Sequence, residues 1–207
     1  MRPEPSRAAA VAGVVGPAAF IGAWVVGAAT TDQDYSSVAD PISRLAAVGA
    51  DSRPLMTAGF ITFGVAMPIY ASSVRRAVTG PAWIAAVVSG LATLGVAATP
   101  LDRSGAVDTL HGVLAVSGYV ALVALPLLAA RPLLDSGHRA LGRLAVAAGL
   151  VSATSLALTA LDVPSGLFQR IGLTTTDVWI GLSATAIAAG RLDSTRVEPR
   201  LAAGGHG

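Results

Sequence analysis

The fold class this chain predicts is all-α: a polytopic membrane bundle of six transmembrane helices. Three observations lead there. Six long apolar runs fill most of the 207 residues. Charged residues make up 13% of the chain, about half the share of a soluble domain, and they are nearly confined to the gaps between runs. Arginine dominates alternate gaps, and aspartate dominates the others.

The first run extends from about Ala8 to Thr30. That is enough to cross roughly 30 Å of hydrocarbon at about 1.5 Å per residue. Arg2 and Arg7 precede it and small residues around Gly27-Ala28-Ala29 follow, as in a signal peptide. It is longer than the usual apolar core of a signal, about 7–15 residues, and five more runs come after it, so it is read as an uncleaved span. The second run, about Leu55 to Ser73, contains Pro68 as a predicted kink and ends at Arg75-Arg76. The third, about Pro81 to Thr99, opens on Gly80-Pro81, a pair suited to a helix start. The fourth covers about Thr109 to Ala130, with Pro126 near its end and Arg131-Pro132 closing it. The fifth is about Leu141 to Leu161, and the sixth, the shortest, about Leu173 to Gly190. Prolines within such spans are tolerated where neighbouring helices satisfy the freed backbone groups.

Six spans place both termini and the second and fourth loops on one side. That side carries Arg2, Arg7, Arg75, Arg76, Arg131, Arg139, Arg143, Arg191, Arg196 and Arg200. The other side carries only Arg44, Arg53, Arg103 and Arg170, but eight aspartates. Basic residues mark the cytoplasmic side, so a multi-pass protein of the cell membrane with both termini in the cytoplasm is expected. The expected organisation is a cytoplasmic N-terminus over 1–7, a six-helix transmembrane domain over 8–190 and a disordered, Gly-rich cytoplasmic tail over 191–207. Small residues let membrane helices approach closely, and Gly13 with Gly16, Gly90 with Gly95, and Gly112 with Gly118 are candidates for such contacts.

Several function classes are excluded by composition. Without cysteine there is no thiolate metal site and no cysteine nucleophile. The net charge is only +2, and no basic block with interleaved aromatics is present, so no nucleic-acid partner is expected. All fourteen basic residues are arginine, as codon bias toward Ala, Gly and Val would also give. No nucleotide loop, HExxH or Gly-x-Ser-x-Gly pattern occurs. Only His111 among three histidines faces outward, which argues against catalytic zinc and against haem held between two spans. No metal or other cofactor is expected.

Polar chemistry gathers on the outer side. In the loop from Thr31 to Arg53, the residues Val38, Ile42, Leu45 and Val48 fall at helical spacing, with Asp40 and Pro41 placed as N-cap and N1. This predicts a short amphipathic helix at the outer surface, either sealing the helix ends or covering a site, with Ser43 and Arg44 off the apolar stripe. Around the fourth span, Asp102 and Asp108 precede His111. Asp108 and His111, three apart, share one helix face, where a carboxylate can orient an imidazole for proton transfer or simply cap the span. Before the sixth run come Asp162, Gln169 and Arg170, and Asp177 follows. If that helix starts soon after Arg170, Asp177 lies about 10 Å deep, where a carboxylate points to function. Thr174-x-x-Asp177 also fits a capping box, which would leave Asp177 shallow. Trp179 suits an interfacial anchor.

Three stretches give the chain a family likeness: Asp40-Pro41-Ile42-Ser43-Arg44-Leu45, His111-Gly112, and Gly166-Leu167-Phe168-Gln169-Arg170-Ile171 with Trp179 following. In their order and placement the chain resembles a prokaryotic group of six-span membrane proteins, domain-of-unknown-function family 998, from about Ala10 to Gly190. The resemblance implies the six-helix topology and interest in Ser43, Arg44, His111, Gln169 and Arg170. It implies no activity.

Two functions stay open. In the first, Ser43, Arg44, Gln169 and Arg170 line an outer polar pocket that binds a membrane lipid or a small apolar or anionic ligand, since Arg grips phosphate or carboxylate at two points. In the second, Asp102, Asp108, His111, Asp162 and Asp177 perform acid–base catalysis on a lipid or isoprenoid. Ion passage would need carboxylates at mid-membrane and ranks below both. The sequence gives no oligomeric state.

Overall fold

Apolar runs become helices wherever their backbone can satisfy its own hydrogen bonds, and six do so here: α1 (Arg7–Thr30), α2 (Arg53–Ala77), α3 (Ala82–Ala98), α4 (Gly105–Asp135), α5 (Arg139–Leu158) and α6 (Ser165–Ala188). The computed structural model describes residues 7–161 and 164–192. Asp162 and most of the terminal tail lie outside the described residues.

Each helix packs against its neighbours in the chain, and α1 packs against α6, which closes a ring. Gly190, just past α6, approaches the Arg7 guanidinium at the start of α1, so both ends of the bundle's chain lie at one end of the ring. Weaker contacts of α6 with α2 and α4 run across the middle.

Among the described residues, five helices are long and apolar enough to cross a membrane. The outward faces are apolar as well: Val11, Leu91, Val113, Val116, Val120 and Leu150 are all exposed. An apolar exterior this continuous has no place in water. The chain is a helical membrane bundle. The shorter α3 has 17 residues, or about 25 Å at 1.5 Å per residue, close to the lower limit for a span.

Helix boundaries depart from expectation in two places. α4 runs through Arg131-Pro132 to Asp135, with Pro132 inside its last turn. α6 starts at Ser165, eight residues before the apolar run. Its first turns hold Gln169 and Arg170, which hydropathy alone assigns to a loop.

Small residues set the helix spacing. A Cβ on Gly13 would collide with Tyr70 and Ala184, and one on Gly90 would meet Pro68 and the Gly64 carbonyl. Gly112, expected to act similarly, faces open space. Buried hydroxyls add cross-links: Tyr70 Oη pairs with Ser183 Oγ at 2.6 Å. Ser152 Oγ donates to the Gly172 carbonyl and pairs with Thr176 Oγ1. Trp179 is buried rather than interfacial, its Nε1 donating to the Leu141 carbonyl at 3.3 Å.

Candidate functional site

The segment between α1 and α2 folds down over one end of the ring. Only Ile42–Ala46 is helical, as a single 3-10 stretch, in place of the expected amphipathic helix. Ile42 and Leu45 insert into the core, whereas Val38 and Val48 stay exposed, so the predicted four-residue stripe is halved. Asp40 is no N-cap here: its Oδ2 accepts from the Ser36 N–H at 2.8 Å, and Pro41 sits at the cap position.

α6 holds this cap in place from below. The Gly166 and Leu167 N–H groups, orphaned as at every helix start, donate to the Ala39 and Val38 carbonyls at 3.3 and 2.9 Å. Gln169 is buried; its Oε1 accepts from the Ile42 N–H at 2.7 Å and its Nε2 donates to Tyr119 Oη. Arg170 is buried too. Its Nη1 donates to the carbonyls of Ser37, Asp40 and Gly166, and its Nη2 to Tyr35 Oη. Its guanidinium carbon lies 5.2 Å from the Trp24 ring centroid and 5.7 Å from that of Tyr35. A buried cation is thus solvated by carbonyl dipoles and ring faces instead of by a carboxylate. Burial pushes the Tyr35 phenol up from its ordinary pKa, and the Arg170 charge pulls partly the other way.

The second connection, between α3 and α4, braces the cap from the side. Val48 N–H donates to the Leu101 carbonyl at 2.9 Å, and Arg44 Nη1 meets Asp102 Oδ2 at 2.6 Å. Asp102 itself occupies the left-handed region at φ 63°, with its N–H donating to Asp108 Oδ1 at 3.0 Å. Asp108 therefore fastens a turn, and no hydrogen bond joins it to His111. His111 Nδ1 lies 2.6 Å from the Thr99 carbonyl, so it carries the proton; its buried Nε2 has no partner. Asp108 thus meets Asp102 through the backbone, His111 is turned to the Thr99 carbonyl, and Asp162 is outside the described residues. Arg44, Gln169 and Arg170 all bond to the cap segment or from it. At the far end of the cap, Asp51 accepts from Thr31 Oγ1 at 2.6 Å and from the Asp32 and Ser52 N–H groups, both at 2.8 Å. These bonds, the Thr31 hydroxyl foremost, hold its carboxyl below the usual carboxylate range.

Beneath the cap is a cavity of about 50 Å³. A single water fills about 10–15 Å³ on this measure, so the space is several waters large. Its walls are mostly apolar: Phe20, Phe60, Phe63, Val96, Leu114, Leu122 and Leu173, roofed by Ile42 and Ser43. Polar groups enter from Ser43, Thr93, Tyr119 and Asp177. Asp177 is 2% exposed, and neither carboxylate oxygen has a hydrogen-bond partner. It lies twelve residues after Ser165, about 18 Å along the helix at 1.5 Å per residue. The capping-box alternative at Thr174 is overturned, because α6 begins nine residues earlier, at Ser165. Of the residues singled out by sequence, Ser43 and Asp177 share the cavity. Tyr119, Thr93 and the phenylalanines were missed. One signal was available for Tyr119: it lies eight residues after His111, on the same face of one helix.

Fold and site together define a class, a helical membrane bundle with a capped internal cavity that holds one unpaired carboxylate. The chain belongs to the family described as protein of unknown function (DUF998), which it matches over residues 14–186. That range contains all three stretches on which the likeness rests. Neither the curated proteins nor the solved structures contain a match to the chain.

Proposed function

We propose that this protein crosses the cell membrane six times, with both termini cytoplasmic, and binds a lipid or small molecule in the cavity beneath its outer cap. The arginine-rich gaps support this orientation, and the closeness of Arg7 to Gly190 agrees with an even number of passes. The single observation that carries the binding function is Asp177. A buried carboxylate without a partner is costly, and such a group inside a membrane is tolerated where it meets a ligand or an ion. A ligand that supplies a donor or a positive charge to Asp177 removes that cost.

Acid–base catalysis on a lipid or isoprenoid is the weaker reading. The groups it needs are engaged elsewhere: Asp102 is tied to Arg44, Asp108 to the Asp102 backbone, and His111 to Thr99. An anionic ligand is also disfavoured, since no arginine is among the cavity-lining residues and the one carboxyl there, Asp177, offers it no positive charge.

The test is extraction in mild detergent followed by mass spectrometry of co-purifying small molecules, with Ala115→Phe as the cavity-filling comparison. Ala115 lines the cavity and is only partly buried, so a larger side chain has room to enter. A stoichiometric molecule lost in Ala115→Phe is the expected result. Identical small-molecule content in the two proteins, both folded, contradicts the proposal.

A further inference from the structure

We infer that the cavity takes an organic cation, with an ammonium group seated between Asp177 and a set of aromatic rings. This deepens the binding function above and rests on it.

The argument begins with charge. Asp177 lines the cavity with both oxygens unpartnered, and the chain contains no lysine to reach it. The nearest cation on its own helix is Arg170, seven residues earlier on the same face. Its two Nη atoms are taken by three carbonyls and the Tyr35 hydroxyl, with Nε buried and unpartnered, and Arg170 is not among the cavity-lining residues. Among the described residues no cation compensates Asp177, so a ligand without a donor or a positive charge would leave it unpartnered, and an anion would find no cation in the cavity lining.

The walls supply the second half. Phe20 packs with its ring centroid 5.7 Å from Phe60 and 5.6 Å from Phe63, both at tilted angles. All three rings, with Tyr119, line the same space as Asp177. Ring faces attract cations within about 6 Å, and they do so most for weakly hydrated ammonium groups that shed water readily. A bare metal ion would demand more oxygens than one carboxylate and the hydroxyls of Ser43, Thr93 and Tyr119 provide. A carboxylate facing an aromatic wall in a small, mostly apolar space suits a substituted ammonium better than a metal ion, an anion or a neutral lipid tail.

Choline and its neutral isostere 3,3-dimethylbutan-1-ol provide the test, titrated calorimetrically into the full-length protein in a maltoside micelle. Choline is expected to bind and the isostere to bind at least about tenfold more weakly, with Asp177→Asn reducing choline affinity by about a hundredfold. Phe60→Leu should weaken choline and leave the isostere unchanged, which a merely structural role for the ring would not do. Circular dichroism and melting temperature confirm that each variant is folded. Equal binding of both probes, insensitive to Asp177→Asn and abolished by Ala115→Phe, overturns the cation and leaves the ligand cavity standing. Choline binding that survives Ala115→Phe, or no binding of choline at all, overturns the inference outright. In the last case the co-purification test decides the cavity separately.

Discussion

The side-chain carbonyl of Gln169 accepts the backbone N–H of Ile42 at 2.7 Å, joining two residues 127 positions apart in the chain. Through that bond the last helix holds the first connection over the mouth of the bundle. The other end of the same amide reaches Tyr119, which lines the cavity. One side chain thereby links cap, helix α4 and cavity wall.

Gln169→Leu removes both bonds at once and leaves the Ile42 N–H buried without an acceptor. The expected loss of stability is about 1–3 kcal/mol, measured by unfolding in mixed micelles. Limited proteolysis should cut the 31–52 segment faster in this variant. Unchanged proteolysis would mean that the cap is held by other contacts.

Gly166 lies so close to the Asp40 carbonyl that a Cβ has no space, and the obstacle is backbone. Gly166→Ala should therefore cost about 1–3 kcal/mol, the usual penalty of overpacking. Gly112→Ala, where the same atom meets open space, serves as the control and should be neutral or slightly stabilising.

The Arg44–Asp102 pair is half-exposed, at 49% and 51% for the two side chains. A double-mutant cycle should give a coupling below about 1 kcal/mol that shrinks as salt rises. A much larger, salt-insensitive coupling would place the pair in a drier setting than its exposure indicates.

Asp51 titrates with a definite sign. Its folded pKa is lowered by Thr31 and the Asp32 and Ser52 amides, so its contribution is present above the ordinary carboxylate range. As the pH falls through the lowered value, the proton binds and the contribution is lost. Wild type should thus melt above Asp51→Asn at neutral pH, and the gap should close as the pH drops below about 4. A gap that stays constant with pH would show that the carboxylate's charge is not what fastens the turn.

The helices were legible because lipid-facing and core residues are both apolar, so each span reads as one run. The start of α6 was not, for a physical reason. Gln169 and Arg170 lower the hydropathy of its first turns, yet both are buried, matched by an N–H, two carbonyls and a hydroxyl of a loop some 130 residues away. The Val38–Val48 stripe misled in the opposite sense. Its spacing is helical, but Asp40 spends its carboxylate on Ser36 and only Ile42 and Leu45 find a core. Asp177 was legible as a candidate from its place in an apolar run. Its surroundings were not, since Phe20, Phe60, Thr93, Tyr119 and Asp177 come from five different helices.

The most direct test of the central claim is an experimental density map of the protein extracted from native membranes, at a resolution that shows side chains. Non-protein density in the cavity, with an atom within about 3.2 Å of an Asp177 carboxylate oxygen, is the predicted result. An empty or collapsed cavity, with Asp177 hydrogen-bonded to a neighbouring helix, would contradict it.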